Sequence, residues 1–374
     1  MENKLIDNCI KLGFGMMRLP RVEGTKVIDV EHTKSMVDAF IEAGGKYFDT
    51  AYVYEGSEAA TKAALCDRYP RESYYLADKL NASEFACKSE EDAKKEIKVS
   101  LERTGAGYFD FYLLHGIDSG NKDRFNQFGI WDYMRKLKEE GLIRHYGFSF
   151  HSTPEHLDEL LTEHPDTEFV QLQINYSDWE DPLIASRQCY EVAVRHGKPV
   201  IVMEPVKGGK LADPPQKVKE ILHQAAPNAS YASWAIRFTA SLPNVMVVLS
   251  GMSNMEQMKD NLSHMRQLQP LSDEEKKVLE SARQALSQFD GIACTSCHYC
   301  TPGCPMDIHI PEIFAVMNVY KMFGTLNEAR NEYSWRPGGE KASACIQCGQ
   351  CEGACPQHLP IISLLEEVVE TLEK

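Results

Sequence analysis

Phe48-Asp49-Thr50-Ala51-Tyr52-Val53-Tyr54 begins inside a short apolar run, Tyr47 to Thr50, and breaks into a polar and aromatic loop. An apolar run this short, ended by a loop and followed by an amphipathic stretch, reads as a buried parallel strand feeding a helix. Seven more such runs lie around it: Leu12 to Met17, Tyr74 to Ala77, Phe109 to Leu114, His145 to Ser149, Phe169 to Gln173, Pro199 to Met203 and Val245 to Leu249. Helical stretches follow most of them, several with start signals. Ser89 with Asp92 and Ser253 with Glu256 have capping-box spacing, and Thr153 precedes Pro154 and Glu155. Eight βα units over about 250 residues predict an α/β fold of the (β/α)8 TIM-barrel class, with an open doubly wound sheet as the main competitor. No G-x-G-x-x-G follows the first run, which weighs against a Rossmann sheet.

The 374 residues are 43% apolar and 25% charged, enough to bury a large core and unlike a disordered or fibrous chain. With 55 acidic against 40 basic side chains the net charge is −15, which repels phosphate backbones and anionic lipid, so neither nucleic acid nor membrane is an expected partner. Met1 to Ile10 lacks the apolar core of a signal peptide, and no apolar run approaches the roughly 20 residues that span a bilayer. A cytoplasmic protein is expected.

Cysteine usage divides the chain. Of twelve cysteines, eight fall between Cys294 and Cys355, and they form two copies of C-x2-C-x2-C-x3-C-P: Cys294, Cys297, Cys300, Cys304 with Pro305, and Cys345, Cys348, Cys351, Cys355 with Pro356. No other internal repeat is evident. Zinc sites pair two C-x2-C units across a longer gap, and neither zinc nor a disulfide framework asks for a third cysteine two residues on with a trailing proline. The spacing is that of bacterial ferredoxins, in which three close thiolates hold one 4Fe-4S cube and the fourth reaches the other. By that crossing rule one cube takes Cys294, Cys297, Cys300 and Cys355, and the second takes Cys345, Cys348, Cys351 and Cys304. Between and after the motifs, Pro311 to Lys341 and Leu359 to Glu373 carry apolar residues at helical intervals. The module resembles the alpha-helical ferredoxin domain more than the compact ferredoxin with short strands. A barrel over 1–285 and a mainly α-helical ferredoxin-like domain over 286–374 are expected, joined between Ser281 and Ile292. Cys9, Cys66, Cys87 and Cys189 have no partner spacing and read as core filler.

Barrel chemistry sits at the carboxyl ends of the strands. There the sequence offers Asp49 closing the second strand, Tyr54 in the loop after it, Lys79 ending the third and His115 ending the fourth. With Ala77-Asp78-Lys79 and Leu113-Leu114-His115-Gly116, the pattern resembles the aldo-keto reductase family, over about the first three quarters of the chain. That resemblance implies a catalytic tetrad. A phenol of pKa near 10 is a weak acid unless a nearby cation favours its phenolate. Lys79 would supply the cation, Asp49 would hold Lys79, Tyr54 would be the general acid and His115 would hydrogen-bond the carbonyl oxygen or modulate Tyr54.

The resemblance also implies NADP(H) or NAD(H) across the barrel mouth. Ser250, Gly251 and Ser253 close the eighth strand, with a helix read as starting at Ser253, so its amide groups would face a phosphate. Gln257, Asp260 and Asn261 match positions that grip the adenosine half. Ser149 matches the family's serine for the nicotinamide amide, although Phe150 stands where an asparagine is usual. Gln171 is the match on the sixth strand, whose Gln171, Gln173 and Asn175 alternate onto one face, and Met203 replaces the usual stacking aromatic. Tyr176 and Trp179 are expected to line the pocket.

A hydride carries two electrons whereas each cube passes one, so linking the halves calls for a flavin, a substrate radical or clusters outside turnover. The leading reading is an oxidoreductase for a small carbonyl or alcohol substrate, its two cubes serving electron exchange with a ferredoxin or flavoprotein carrier, or structure. The alternatives are an electron-transfer protein, or a redox sensor, whose barrel binds nicotinamide or flavin without carbonyl turnover.

Overall fold

The computed structural model describes residues 5–83, 86–118, 120–182, 184–287, 291–294, 298–355 and 357–374. Eight strands, β1 (Leu12–Gly15), β2 (Tyr47–Asp49), β3 (Tyr75–Leu80), β4 (Phe109–Ile117), β5 (Ile143–Phe150), β6 (Phe169–Gln173), β7 (Val200–Met203) and β8 (Val245–Ser250), pair in parallel and in chain order until β8 closes on β1. Each lies on one of the eight apolar runs of the sequence. Four strands extend past their runs, β5 at both ends to Ile143 and Phe150 and β8 by one residue to Ser250. β3 continues to Leu80, and β4 passes His115 to Ile117 through a register shift that the left-handed Gly116 (φ +67°) permits.

Strand alternation sorts the apolar residues into two layers. Tyr47, Ala77, Phe111, Leu113, Phe169, Ile201, Val247 and Leu249 form one cluster inside the barrel. Phe14, Phe48, Leu76, Tyr112, Leu114 and Val170 point the other way and pack under the helices. The rings of Tyr47 and Phe169 each lie 5.2 Å from Phe111, making an aromatic floor. Two residues further along β2, β3 and β6, the same inward face carries Asp49, Lys79 and Gln171. The site is therefore built on rigid strand ends above a closed core.

Helix starts follow side-chain capping. Ser89 accepts from Asp92 N–H to open Glu90–Thr104, and Thr153 accepts from His156 N–H, with Pro154 leading the next helix. The Ser253 start is displaced by one residue. Asn254 caps helix Met255–Met265 by accepting from Gln257 N–H, while Ser253 donates its N–H back to Gln257 Oε1 and its hydroxyl to Arg18 O. The carboxamide takes the cap because the serine hydroxyl is already engaged across the barrel end.

The chain separates into two compact units, Met1–Asp213 with Ala226–Leu279, and Pro214–Ala225 with Glu280–Lys374. The second has its own core, in which Ile308, Ile310, Phe314 and Met317 pack with Ile361, Leu365 and Val368 around Cys300 and Cys351. Its helices Ile310–Phe323, Leu326–Trp335 and Ile361–Val368 fall where the sequence periodicity puts helices. Tyr333 ties the C-terminus in, donating to Glu373 Oε1 at 2.6 Å and accepting from Ala342 N–H at 2.8 Å. Among the described residues no helix is long and apolar enough to cross a membrane. Of the unpaired cysteines, Cys87 and Cys189 are buried and Cys9 and Cys66 partly so.

Candidate active site and thiolate cavities

Asp49, Tyr54, Lys79 and His115 meet at the mouth of the barrel. Lys79 is 1% exposed, and its ammonium donates to Asp49 Oδ1 at 2.5 Å and to Thr50 O at 2.7 Å. It lies 4.9 Å from the centroid of the Tyr54 ring, which meets the His115 ring edge-on at 5.6 Å. Loop Thr50–Ser57 carries Tyr54 and is fastened at both ends: Ser57 Oγ donates to Met16 O and contacts Thr50 Oγ1, while Tyr54 N–H returns to Ala51 O.

Electrostatics assign states to the four groups. Burial works against the Lys79 ammonium, but Asp49 and Tyr54 outweigh it and hold Lys79 above its ordinary range. Burial pushes the Asp49 carboxyl up, against the pull of Lys79 and Gln171. The Tyr54 phenol is also raised, because burial outweighs the lowering by Lys79. The cation therefore limits the cost of forming the phenolate without bringing the phenol below its ordinary pKa. His115 is driven well down by burial and by Lys79, so its imidazole is neutral, and its Nδ1 has no hydrogen-bond partner among the described residues.

The polar stripe of β6 has two destinations. Gln171 Nε2 lies 3.4 Å from Asp49 Oδ2, so it supports the lysine's counter-ion. Gln173 and Asn175 instead serve the buried Asp178, whose Oδ2 accepts from both at 3.1 and 2.8 Å and whose Oδ1 accepts from Lys207. Asn175 also donates to Glu204 O. Burial would raise the Asp178 carboxyl, but Lys207, Asn175 and Gln173 together hold it below the usual range. The sequence reading missed this pair; its signal was Lys207-Gly208-Gly209 straight after a strand. Here Glu204 (φ +56°), Lys207 (φ +50°), Gly208 and Gly209 are all left-handed. Two strained non-glycine residues in one loop persist only when their surroundings fix them, as Asp178 fixes Lys207 and Arg18, at 3.5 Å, fixes Glu204.

The other expected cofactor residues divide in the same way. Met203, Gly251, Ser253 and Gln257 are partly or fully open at the ends of β7 and β8. Ser250 Oγ accepts from the buried Asn261 at 2.9 Å, Asp260 accepts from Ser230 Oγ at 2.6 Å, and Ser149 Oγ accepts from Gly116 N–H at 2.7 Å. The last bond fastens β4 directly after His115. Trp179 does not line the mouth: its ring packs against Tyr190 and Phe238 in the helical layer, at 5.8 and 5.3 Å, and Tyr176 is buried.

In the second unit two cavities, each of about 320 Å³, divide the cysteines. Cys294, Cys300 and Cys355 line the first with Ile310, Phe314 and Ile361. Cys304, Cys345, Cys348 and Cys351 line the second with Ile308, Ile346 and Leu365. The grouping follows the crossed sets read from the motif, each fourth cysteine joining the other motif's three; Cys297 and Pro356 lie outside the described residues. Soft thiolates lining a largely apolar cavity, with His298 and Gln357 at the edge of the first, are a donor set suited to an iron-sulfur cube.

A closed barrel with a buried lysine and carboxylate beside a half-buried phenol and imidazole at its mouth, followed by a domain of paired thiolate cavities, defines an oxidoreductase scaffold. Comparison with known proteins makes the assignment particular. The aldo/keto reductase family model matches residues 11–284, and a 4Fe-4S dicluster domain model matches residues 293–359. An aldo-keto reductase of Mycolicibacterium vanbaalenii is 31% identical over 235 residues, covering 63% of this chain and 77% of its own length. The holo form of an aldo-keto reductase from Bacillus halodurans superposes with a TM-score of 0.59 at 25% identity, covering 73% of this chain and 91% of that one. An aldo-keto reductase from Klebsiella pneumoniae solved with NADPH shares the fold at 20% identity, with a TM-score of 0.58 over 72% of this chain and 90% of its own. The chain belongs to the aldo/keto reductase family and is an oxidoreductase carrying a C-terminal 4Fe-4S domain.

Proposed function

We propose that the barrel interconverts a small carbonyl compound and its alcohol, with Tyr54 as the acid that protonates the carbonyl oxygen. The observation that carries this reading is the Lys79 ammonium, buried, 2.5 Å from Asp49 and over the Tyr54 ring. A cation fixed there stabilises the phenolate left when Tyr54 gives up its proton, and Asp49 keeps that cation charged and oriented. Neutral His115 can hydrogen-bond the same oxygen without competing as an acid. The open ring of Met203, Gly251, Ser253 and Gln257, with Ser250 just beneath it, is suited to hold NADP(H) or NAD(H). Gln171, Asn175, Ser149, Asp260 and Asn261 act behind it as positioning residues. When bound, the nicotinamide supplies the hydride. Two 4Fe-4S cubes are assigned to the two thiolate cavities, Cys297 completing the first, where they supply single-electron exchange or structure. A ferredoxin or flavoprotein carrier, or a flavin, would join them to two-electron chemistry. Thiolate ligands and an acidic surface suit the reducing cytoplasm.

The test is Tyr54→Phe in the cluster-loaded protein. Carbonyl reduction should fall by about 10²–10⁴-fold while nicotinamide affinity, read by fluorescence titration, is unchanged. Turnover within about threefold of the parent would remove Tyr54 as the acid.

A further inference from the structure

On the reverse face of β3, Asp78 points out of the barrel towards helices Ser57–Thr61 and Glu90–Thr104, which carry two more buried acids, Glu58 and Glu96; the charge of Glu58 acts on both Asp78 and Glu96. One oxygen of each β3-facing acid is committed to a backbone donor. Asp78 Oδ1 accepts from Lys79 N–H and Glu96 Oε2 from Asn81 N–H, both at 2.7 Å. Glu58 Oε2 accepts from Arg103 at 2.8 Å. The three remaining oxygens, Asp78 Oδ2, Glu96 Oε1 and Glu58 Oε1, have no hydrogen-bond partner among the described residues. Nor do the hydroxyls of Tyr112 and Ser100, both fully buried, and Tyr112 feels the charges of all three acids. Three buried carboxylates around one guanidinium would leave two buried charges unpaired, which is strongly unfavourable. Protons on two of the three orphaned oxygens remove both charges and supply the missing donors.

The network connects to the reacting loop. Arg103, held by Glu58, lies 4.8 Å over the Tyr52 ring and reaches Tyr52 O at 3.5 Å, two residues before Tyr54. Tyr52 N–H is also tied to Lys79 O.

We propose that Asp78 and Glu96 are neutral carboxylic acids at neutral pH, that they hydrogen-bond Glu58, and that this network positions Tyr54 through Arg103 and Tyr52. The positioning half of this proposal rests on Tyr54 being the acid; the protonation half does not. The charged and titratable groups facing the network are Asp49 and Lys79 from the barrel, Arg103 from the overlying helix, Tyr112 from β4 and Tyr133 from the helix outside it. Burial pushes Asp78 well up, reinforced by Glu58. It pushes Glu96 up to about 8, beyond what the Asn81 N–H and Arg103 offset.

The sign follows directly. A carboxyl that keeps its proton when folded, but has an ordinary pKa near 4.3 when unfolded, makes the folded protein lose stability as pH rises from about 4.3 to about 8. Glu96→Gln and Asp78→Asn imitate the neutral acids. In pH series of the thermal midpoint on the cluster-loaded protein, each variant should gain on the parent as pH rises from about 5 to about 9, with Asp78→Asn as the independent check if Glu96→Gln fails to fold. At pH near 6.5 both should keep kcat within about threefold, whereas Glu58→Gln, which frees Arg103, should lower kcat by about tenfold to a hundredfold with KM little changed. A midpoint difference independent of pH would overturn the neutral-acid assignment. A kcat for Glu58→Gln equal to the parent, where Tyr54→Phe is inactive, would overturn the positioning role. The midpoint series needs no substrate, so failure of the carbonyl-reduction reading leaves it decisive for the protonation state.

Discussion

Asp49→Asn removes a charge and almost no volume from the most buried ion pair at the barrel mouth. Lys79 then keeps Thr50 O, at 2.7 Å, and the neutral carboxamide oxygen as acceptors, and loses its counter-ion in a site where it is 1% exposed. Two limits bound the cost. An ammonium left buried and unpaired costs about 3–5 kcal/mol. Lys79 can instead release its proton on folding, at 1.36 kcal/mol for each pH unit below about 10.4, which is about 4.6 kcal/mol at pH 7 and about 1.9 kcal/mol at pH 9. The cheaper route is taken at each pH, so the loss should be about 3–4.6 kcal/mol at pH 7 and no more than about 2 kcal/mol at pH 9. The sign is particular to the variant. The parent lysine, held above its ordinary value, stays charged across this range, whereas the variant regains stability as the unfolded lysine's own proton becomes easier to lose. Anaerobic urea unfolding followed by tryptophan fluorescence measures this, because Trp131 and Trp234 are buried in the barrel unit while Trp335 of the second unit is 68% exposed. A loss below about 1 kcal/mol at pH 7, or one of equal size at pH 9, would refute the buried-pair reasoning.

With the proposed crossed ligation, Cys355→Ala should damage the cavity of Cys294 and Cys300 and leave that of Cys345, Cys348 and Cys351 intact. The variant should lose about four irons, and a second substitution at Cys300 should remove no more, while pairing Cys355→Ala with Cys351→Ala should empty both sites. EPR after anaerobic addition of NADPH or NADH, with and without flavin, reads the surviving cube and tells whether nicotinamide reduces it. Lys207→Ala should cost about 3–4 kcal/mol at pH 7, because it leaves buried Asp178 without its cation, and the cost should shrink steadily as pH falls from 7 towards about 4, since the unpaired carboxyl can take a proton on folding at about 1.36 kcal/mol for each pH unit above its ordinary pKa near 3.9; urea midpoints at pH 7 and pH 5 check it.

What could be read from the sequence was what depends on period and spacing. Each strand of the barrel lies on an apolar run, because a parallel strand covered on both faces needs continuous hydrophobicity and little else. The 4Fe-4S domain was legible in its two cysteine motifs because ligand spacing is itself the chemistry. What escaped was the destination of polar side chains across the fold. Gln171, Gln173 and Asn175 share one face of β6, but only closure of the barrel sends the first to Asp49 and the other two to Asp178. Trp179 looks like a loop aromatic in sequence, and Tyr190 and Phe238, which claim it, lie on separate helices. The Ser253 cap fails for a similar reason, since its hydroxyl is taken by Arg18, 235 residues away.

Asp78 and Lys79 show how far a strand's period of two can separate adjacent residues. Lys79 faces inward and is held charged by Asp49, while Asp78 faces outward, where Glu58 raises it. The two are joined by one peptide, and Asp78 accepts the N–H of Lys79 itself. A charge on Asp78 would therefore add a second anion close to Lys79 and compete with Asp49 for it, weakening the preference for the geometry that faces Tyr54. Keeping Asp78 neutral leaves Asp49 as the single carboxylate that orients the ammonium. One strand thus separates a charged pair at the reacting face from a proton-holding network behind it, and the loop bearing Tyr54 is fastened to both: through Tyr52 N–H to Lys79 O, and through Arg103 to Glu58.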